Sequence, residues 1–324
     1  MDTDLKISRR GLLAAGSTLL LGGVARAEEP SGANPLRFGV ITDVHQDIIP
    51  DAVGRVSKFV EAMERAGVSF ICQLGDFCIP HERNRPLLDA WNRFPGRRWH
   101  VLGNHDMDEK FTREQAAAFL GMPERFYTFD EGGVRFVVLD GNDPGGVKPG
   151  YKRFIARDQL DWLRRTLAAA DRPVVVLTHQ PLDSPHGVEN HEEVRKVLAD
   201  ADRDGRKVLA VLSGHLHEDY VARLDGTPYL QINSASYFWM GGKYAHASLA
   251  PEAHDRSAAL ASTCPYKDPL WAVLTLDLKQ GSLTVEGRST SWVGGSPWDV
   301  GATRTTHDPD LIRPAVSSRT IPVG

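Results

Sequence analysis

The fold of this chain is decided near its start by a segment that reads LRFGVITDVH, residues 36–45. The apolar part of the segment, residues 36–42, predicts a buried strand. Asp43 and His45 stand directly at the carboxyl end of that strand. Residues 51–66 follow with the periodicity and the start and stop signals of a helix. The segment therefore predicts a strand and a helix with polar chemistry at the turn between them.

Four further apolar runs are followed by side chains of the same kinds. These runs predict strands at residues 68–74, 100–102, 174–177 and 208–212. The polar residues that come after them are Asp76; Asn104, His105 and Asp106; His179; and His215 and His217. In open α/β sheets, ligands bind at the carboxyl ends of the strands, so we expect these side chains to meet at one edge.

The rest of the sequence indicates an α/β protein. Further strands are predicted at residues 134–139, 220–224, 229–232, 272–276 and 283–285, and further helices at 158–170 and 191–199. The early alternation of strands and helices favours a parallel-rich sheet covered by helices. The strand-rich end favours a second sheet packed on the first. We therefore expect two mixed sheets with flanking helices and a site at the carboxyl ends of the strands.

The ends of the chain fall outside this pattern. Residues 1–27 combine Arg9-Arg10, a short apolar run and an Ala-x-Ala pattern, which is typical of a twin-arginine export signal. The apolar run is too short to span about 30 Å of hydrocarbon. We expect the protein in the periplasm or outside the cell, with the twin-arginine export machinery as a partner and no membrane span after cleavage. The predicted divisions are a signal peptide (1–27), a linker (28–34), a folded domain (35–290) with a loop insertion (234–268), and a C-terminal tail (291–324).

Charge and cysteine content exclude other classes. The formal net charge is −4, and no basic run interleaved with aromatics follows the signal segment, so nucleic-acid binding has no electrostatic basis. Cys72, Cys78 and Cys264 are too few for a disulfide framework. The sequence leaves open whether any two of them pair. Cys72 lies in an apolar run, which predicts a small core residue.

The donor types favour two metal ions. Imidazoles, carboxylates and one carboxamide form a mixed nitrogen and oxygen set that suits Mn, Fe, Zn or Co and lacks the thiolates of a structural zinc site. Seven side chains are too many for one tetrahedral ion but suit two ions that share a bridging carboxylate. Two ions about 3.5–4 Å apart are a common arrangement in enzymes that catalyse phosphoryl transfer.

In order and spacing, the five motifs resemble those of the calcineurin-like metallophosphoesterases over residues 36–233. The matching motifs are Asp43-x-His45, Gly75-Asp76, Gly103-Asn104-His105-Asp106, His179 and Gly214-His215-x-His217. The resemblance implies a four-layer α/β/β/α sandwich that hydrolyses small phosphate esters, either monoesters or diesters. It also implies two metal sites: Asp43, His45 and His217 on one ion, Asp76 between both, and Asn104, His179 and His215 on the other.

The same resemblance implies the remaining roles. A hydroxide shared by the ions would attack phosphorus, and His105 would stabilise the phosphoryl oxygens or protonate the leaving alkoxide. Asp106 would orient His105. The sequence lacks the arginine that protein phosphatases carry after Gly75-Asp76, and it has Ile79 where purple acid phosphatases have a tyrosine. What remains is similar to bacterial cyclic-nucleotide and glycerophosphodiester phosphodiesterases.

Three further residues are candidates for substrate binding: His81 beside the second motif, and Tyr237 and Trp239 at the start of the loop insertion. The aromatic pair is of the type that stacks on a base or an organic leaving group. Two rival functions stay open. One is a nuclease of the same superfamily, which the negative charge disfavours. The other is a receptor-like, degenerate metal-binding protein, which the complete motif set disfavours.

Overall fold

The computed structural model describes residues 34–203 and 208–323. The predicted signal peptide and residues 28–33 of the predicted linker lie outside the described residues. In the described ranges, sixteen strands occur in this chain order: β1 (Leu36–Ile41), β2 (Phe70–Gln73), β3 (Arg97–His100), β4 (Tyr127–Glu131), β5 (Val134–Val138), β6 (Val174–Leu177), β7 (Val208–Ser213), β8 (Tyr220–Leu224), β9 (Thr227–Gln231), β10 (Tyr237–Trp239), β11 (Thr263–Pro265), β12 (Ala272–Asp277), β13 (Ser282–Glu286), β14 (Arg288–Ser289), β15 (Ala315–Val316) and β16 (Arg319–Pro322).

Six α-helices lie between these strands in the same described ranges. They are α1 (Ala52–Ala66), α2 (Arg85–Asn92), α3 (Arg113–Leu120), α4 (Arg157–Ala168), α5 (His191–Arg203) and α6 (Pro251–Arg256). No helix among the described residues combines the length and apolar character needed to cross a membrane.

The strands form two mixed six-stranded sheets. The first has the order β16-β13-β12-β1-β2-β3, with β1, β2 and β3 parallel. The second has the order β4-β5-β6-β7-β9-β8, with β5, β6, β7 and β9 parallel. The second sheet thus has a parallel centre and antiparallel strands at both edges. In the first sheet the parallel strands reach one edge at β3, and the antiparallel strands lie towards the other. The carboxyl ends of the parallel strands in both sheets can carry a site.

The two sheets pack face to face through aromatic side chains. The ring of Phe38 in β1 meets the edge of Phe136 in β5 with centroids 5.5 Å apart, and Phe70 in β2 meets Phe136 at 5.2 Å. Helices cover the outer faces. Phe59 of α1 stacks on Trp91 of α2 in the core of the first sheet, and leucines of α4 pack with valines of the second. The fold is the expected α/β/β/α sandwich.

Two strands differ from the sequence-based prediction. The third strand spans Arg97–His100 and shares only His100 with the expected residues 100–102. Strand β4 was missed, although the Gly132-Gly133 turn that joins it to β5 is visible in the sequence. Both glycines have a positive φ, as a tight hairpin between right-twisted strands requires.

The predicted tail is a further correction. Within residues 291–324, strand β16 joins the first sheet beside β13. Arg319 of that strand forms an ion pair at 2.6 Å with buried Asp219, which follows His217 in the chain. The alternation of an edge strand, with Ile321 buried and its neighbours exposed, is too short to stand out as periodicity. The predicted insertion at 234–268 likewise contains β10, β11 and α6.

The cysteines lie within the described residues and are all free and buried. Cys72 is fully buried in the core of the first sheet, as predicted.

Candidate metal centre

The carboxyl ends of five parallel strands bring seven polar side chains together. Asp43 and His45 follow β1, Asp76 follows β2, and Asn104 follows β3. His179 follows β6, and His215 and His217 follow β7. The first three strands belong to one sheet and the last two to the other, so the site lies where the strand ends of both sheets converge.

Five of these residues have left-handed backbone conformations. The φ angles of Asp43, His45, Asp76, His215 and His217 lie between 51° and 79°. A β-carbon is strained in this region, although Asp and His tolerate it better than most residues. The reversed backbone turns each side chain back towards the same point directly after its strand. Local strain of this kind concentrates at functional sites.

The side chains form two groups of possible metal ligands. Asp43, His45 and His217 make one triad, and Asp76, His179 and His215 make the other; the ligand atoms within each triad lie within 4.8 Å of one another.

Asp76 links the two triads. One of its carboxylate oxygens, Oδ2, lies 3.1 Å from Nε2 of His179 and 3.6 Å from Nε2 of His45. Its other oxygen, Oδ1, accepts a hydrogen bond from the backbone N–H of His105 at 2.8 Å. Asp76 therefore lies where a carboxylate shared by two ions would have to lie.

The residues fit the ions that this arrangement implies. Asn104 is 5% exposed, and neither atom of its amide has a partner among the described residues. A buried amide is nearly always satisfied, so Oδ1 of this side chain lacks a partner that an ion would supply. His179 and His217 are each held through Nδ1, by the backbone carbonyls of Leu74 and Tyr237 at 2.8 Å. Such bonds leave Nε2 of each ring as the ligand atom.

The candidate histidine ligands differ in the direction in which their pKa values are shifted. Burial lowers the pKa of His45 and of His215 to about 3, so both rings are neutral. Burial also acts to lower the pKa of His179, but the carboxylates of Asp76 and Asp43 outweigh it and raise that pKa to about 9. Histidine binds a metal as the neutral imidazole, so an ion in this triad would take the place of that proton.

The predicted role of Asp106 is corrected by the structure. Its carboxylate accepts hydrogen bonds from the backbone N–H groups of Phe77, Cys78 and Gly103 at 2.7–2.9 Å, and among the described residues it makes no hydrogen bond to the ring of His105. Asp108 binds Nδ1 of His105 instead, at 2.7 Å. Asp106 is fully buried beneath the loops that carry Asp76 and Asn104, where it ties their backbones together. Asp108 could not be identified from the sequence, because it is a 3-10 turn that brings it back to His105.

A cavity of about 530 Å³ opens above the two triads. His105, Tyr151, Arg153 and Trp239 line it together with the candidate ligands His45, Asp76, His215 and His217. Tyr151 and Arg153 were missed by the sequence analysis, because the segment that carries them has no motif.

The three residues predicted to bind substrate lie at different positions relative to this cavity. Trp239 lines the cavity and is 46% exposed. Tyr237 also lines it but is 1% exposed, because its ring stacks on His45 with centroids 4.9 Å apart. A buried ring of this kind cannot sandwich a base. His81 lies outside the lining of the cavity, where its Nδ1 accepts the backbone N–H of Arg83 and caps a short 3-10 helix.

Gly103 lies where the third motif passes closest to the second. A β-carbon there would collide with the backbone nitrogen and the carboxylate of Asp76. We expect Gly103→Ala to displace that carboxylate and to lower the free energy of unfolding by about 1–3 kcal/mol, as overpacking does. Urea denaturation of the metal-free protein measures this. The matched control is Gly54→Ala in α1, where a β-carbon meets open space. Equal stability of the two variants would contradict the expectation.

Comparisons with a family model and with curated proteins point to the same family. Residues 36–219 match the family model described as calcineurin-like phosphoesterase. A probable cyclic nucleotide phosphodiesterase of Rhodococcus erythropolis is 34% identical over 42% of this chain and 45% of its own length. A cAMP/cGMP dual specificity phosphodiesterase of Mycobacterium tuberculosis is 29% identical over 58% of this chain and 61% of its own length. The matches thus span about half the length of these curated relatives.

One solved structure shows the same fold. A dimetal phosphatase from Danio rerio has a TM-score of 0.57 and 17% identity, and the match covers 81% of this chain and 100% of that chain. At this identity the likeness concerns the fold alone.

Proposed function

This chain belongs to the calcineurin-like phosphoesterase family, and on that premise we propose that it is a metal-dependent hydrolase of phosphate esters with a preference for diesters. The observation that carries the proposal is the pair of ligand triads joined by Asp76 at the floor of an open cavity. No simpler binding role needs two triads that share a carboxylate beneath a substrate-sized space.

The triads supply a place for two divalent ions. Asp43, His45 and His217 would hold one ion, His179, His215 and Asn104 the other, and Asp76 both. Ions so placed would neutralise charge on a phosphoryl group and lower the pKa of a water molecule. Mn, Fe, Zn and Co all suit this donor set.

His105 is the protein side chain that would act on the substrate beside the two ions. Its ring lines the cavity, and Asp108 holds Nδ1. The other ring nitrogen, Nε2, has no hydrogen-bond partner among the described residues. This nitrogen is free to donate a proton to the leaving oxygen or a hydrogen bond to the phosphoryl group.

The preference for diesters rests on a second cavity. This space of about 410 Å³ is lined by Asn104, Met107, Phe111 and Pro144, and it shares Asp108 and Tyr151 with the first cavity. Two cavities that meet beside the triads give room for two alcohol groups on one phosphorus. Two curated relatives are named for cyclic nucleotides, which are diesters, and the exposed face of Trp239 suits a base.

A substrate panel tests the proposal. With Mn²⁺ supplied, we expect bis-p-nitrophenyl phosphate to be hydrolysed at least about tenfold faster than p-nitrophenyl phosphate, which corresponds to about 1.4 kcal/mol from contacts of the second alcohol. Cyclic AMP and a glycerophosphodiester in the same panel identify the natural class. The chelated protein is expected to be inactive and to recover when Mn²⁺ is returned.

Met107→Trp provides a matched variant, because it fills the second cavity. It should slow the diester and spare the monoester at unchanged metal content. Failure of the metal-loaded protein to hydrolyse any phosphate ester would contradict the proposed reaction. A preference for monoesters would overturn only the diester assignment.

A further inference from the structure

One candidate ligand is held differently from its neighbours. His179 and His217 are fixed through Nδ1 by backbone carbonyls of buried residues, Leu74 and Tyr237. In His215 it is Nε2 that has a partner, the hydroxyl of Tyr151 at 2.8 Å. Tyr151 is 38% exposed and lines both cavities. The backbone N–H of His215 donates to Asp43, but among the described residues the hydrogen bond of its ring is to Tyr151, at the mouth of the site.

The bond to Tyr151 decides which nitrogen of His215 is available. With Nε2 engaged, Nδ1 is the atom left to complete the triad with Asp76 and His179. Nδ1 can offer a lone pair only in the tautomer that carries its proton on Nε2. In that tautomer Nε2–H donates to the phenolic oxygen of Tyr151, and the phenol keeps its own proton for another acceptor.

The segment that carries Tyr151 is anchored without help from this bond. The backbone N–H of Phe154 donates to the carbonyl of Gly141 at 2.7 Å. Glu189 accepts the backbone N–H groups of Val147 at 2.7 Å and Lys148 at 3.0 Å. The Tyr151 ring has a further neighbour in Arg153, whose guanidinium carbon lies 5.2 Å from the ring centroid. Loss of the hydroxyl alone should leave the segment and the ring in place.

We propose that Tyr151 is a positioning residue for the second metal site, and that its hydroxyl holds His215 in the tautomer that presents Nδ1 to the ion. The inference rests on the metal-binding part of the proposed function. It makes the affinity of one ion depend on a residue outside every motif of the sequence, while the triad of Asp43, His45 and His217 stays independent of it.

Tyr151→Phe is the direct test, because it removes only the hydroxyl. We expect the affinity for the second ion to fall about 10–100-fold, the usual cost of losing a partner that orients a metal ligand. The first ion should bind as in the parent protein. Calorimetric titration of the metal-free protein with Mn²⁺ resolves the two steps, and Co²⁺ absorption should change for one of the two ions only.

Kinetics separate positioning from direct participation. Once Mn²⁺ saturates both sites, the kcat of Tyr151→Phe on bis-p-nitrophenyl phosphate should return to within about threefold of the parent, since the lost affinity is overcome by mass action. The matched control is Tyr220→Phe in β8. That tyrosine bonds Asp183 rather than a ligand, so both metal steps should be unchanged.

Each outcome bears on the proposal. Unchanged affinity of both ions in Tyr151→Phe would overturn it, as would equal weakening of both ions together with a lower melting temperature. A kcat that stays low at saturating Mn²⁺ would show that Tyr151 acts on the substrate directly, which would overturn a role in positioning alone. If the parent protein binds two ions but hydrolyses no ester, the proposed reaction fails while this inference stands.

Discussion

Asp76→Asn should leave the protein unable to hold either metal ion tightly and lower the rate of the proposed phosphate-ester hydrolysis by about 10³-fold or more. Oδ2 of Asp76 lies within 3.6 Å of a histidine in each triad, so one charge serves both. Each ion contributes several kcal/mol to stabilising the transferred phosphoryl group, and about 4 kcal/mol corresponds to 10³-fold in rate. Asparagine keeps Oδ1 as an acceptor for the backbone N–H of His105, so the loop should stay folded.

Metal analysis after gel filtration measures this effect directly. Asp43→Asn is the matched variant, because Asp43 pairs with His217 at 3.2 Å within one triad. It should weaken mainly one ion, where Asp76→Asn weakens both. Retention of one tightly held ion in Asp76→Asn would show that Asp76 is not shared.

His105→Asn should lower turnover by roughly 10²–10⁴-fold, the range for a positioned acid or base, and leave the metal content intact. The ring of His105 lines the cavity, and Asp108 engages its Nδ1. The measurement is kcat for two diesters, one with a p-nitrophenolate leaving group and one with an alkoxide. An acid that protonates the leaving oxygen matters less for p-nitrophenolate, which departs readily as an anion.

The pattern across substrates assigns the role. A larger loss for the alkyl ester supports protonation of the leaving oxygen, and equal losses place His105 on the phosphoryl oxygens. Asp108→Asn is the companion variant; its half-exposed carboxylate orients His105 without touching the ions, so its effect should be smaller. If metal is lost from His105→Asn, or if turnover is unchanged, the role assigned to His105 is wrong.

The sequence was informative about this site because each motif directly follows a strand. An apolar run that ends in Asp43, Asp76 or His215 can be read locally, and parallel strands then bring such ends to one place. The resemblance carried by the motifs at the ends of these five runs implied the family and the α/β/β/α sandwich. The central strands were located within a few residues because they are continuous apolar segments.

Contacts between distant segments could not be read in this way. Tyr151 reaches His215 from a segment without a motif, and Arg319 reaches Asp219 from the end of the chain. Asp106 was assigned to its sequence neighbour, although a turn directs its carboxylate to three backbone N–H groups. The burial of Tyr237 depends on its packing against His45, which no periodicity in the loop reveals.

The left-handed backbone that positions the site lowers the stability of the folded protein. It occurs at Asp43, His45, Asp76, His215 and His217. Relative to glycine, a residue with a β-carbon costs about 1–2 kcal/mol in this conformation. In a descendant of this protein no longer selected for its reaction, glycine would remove this backbone cost at a position such as His45, whose side chain holds no backbone group in place. Mutations that abolish the chemistry would then be favoured by heat, crowding or proteolysis, and the fold would outlast the enzyme.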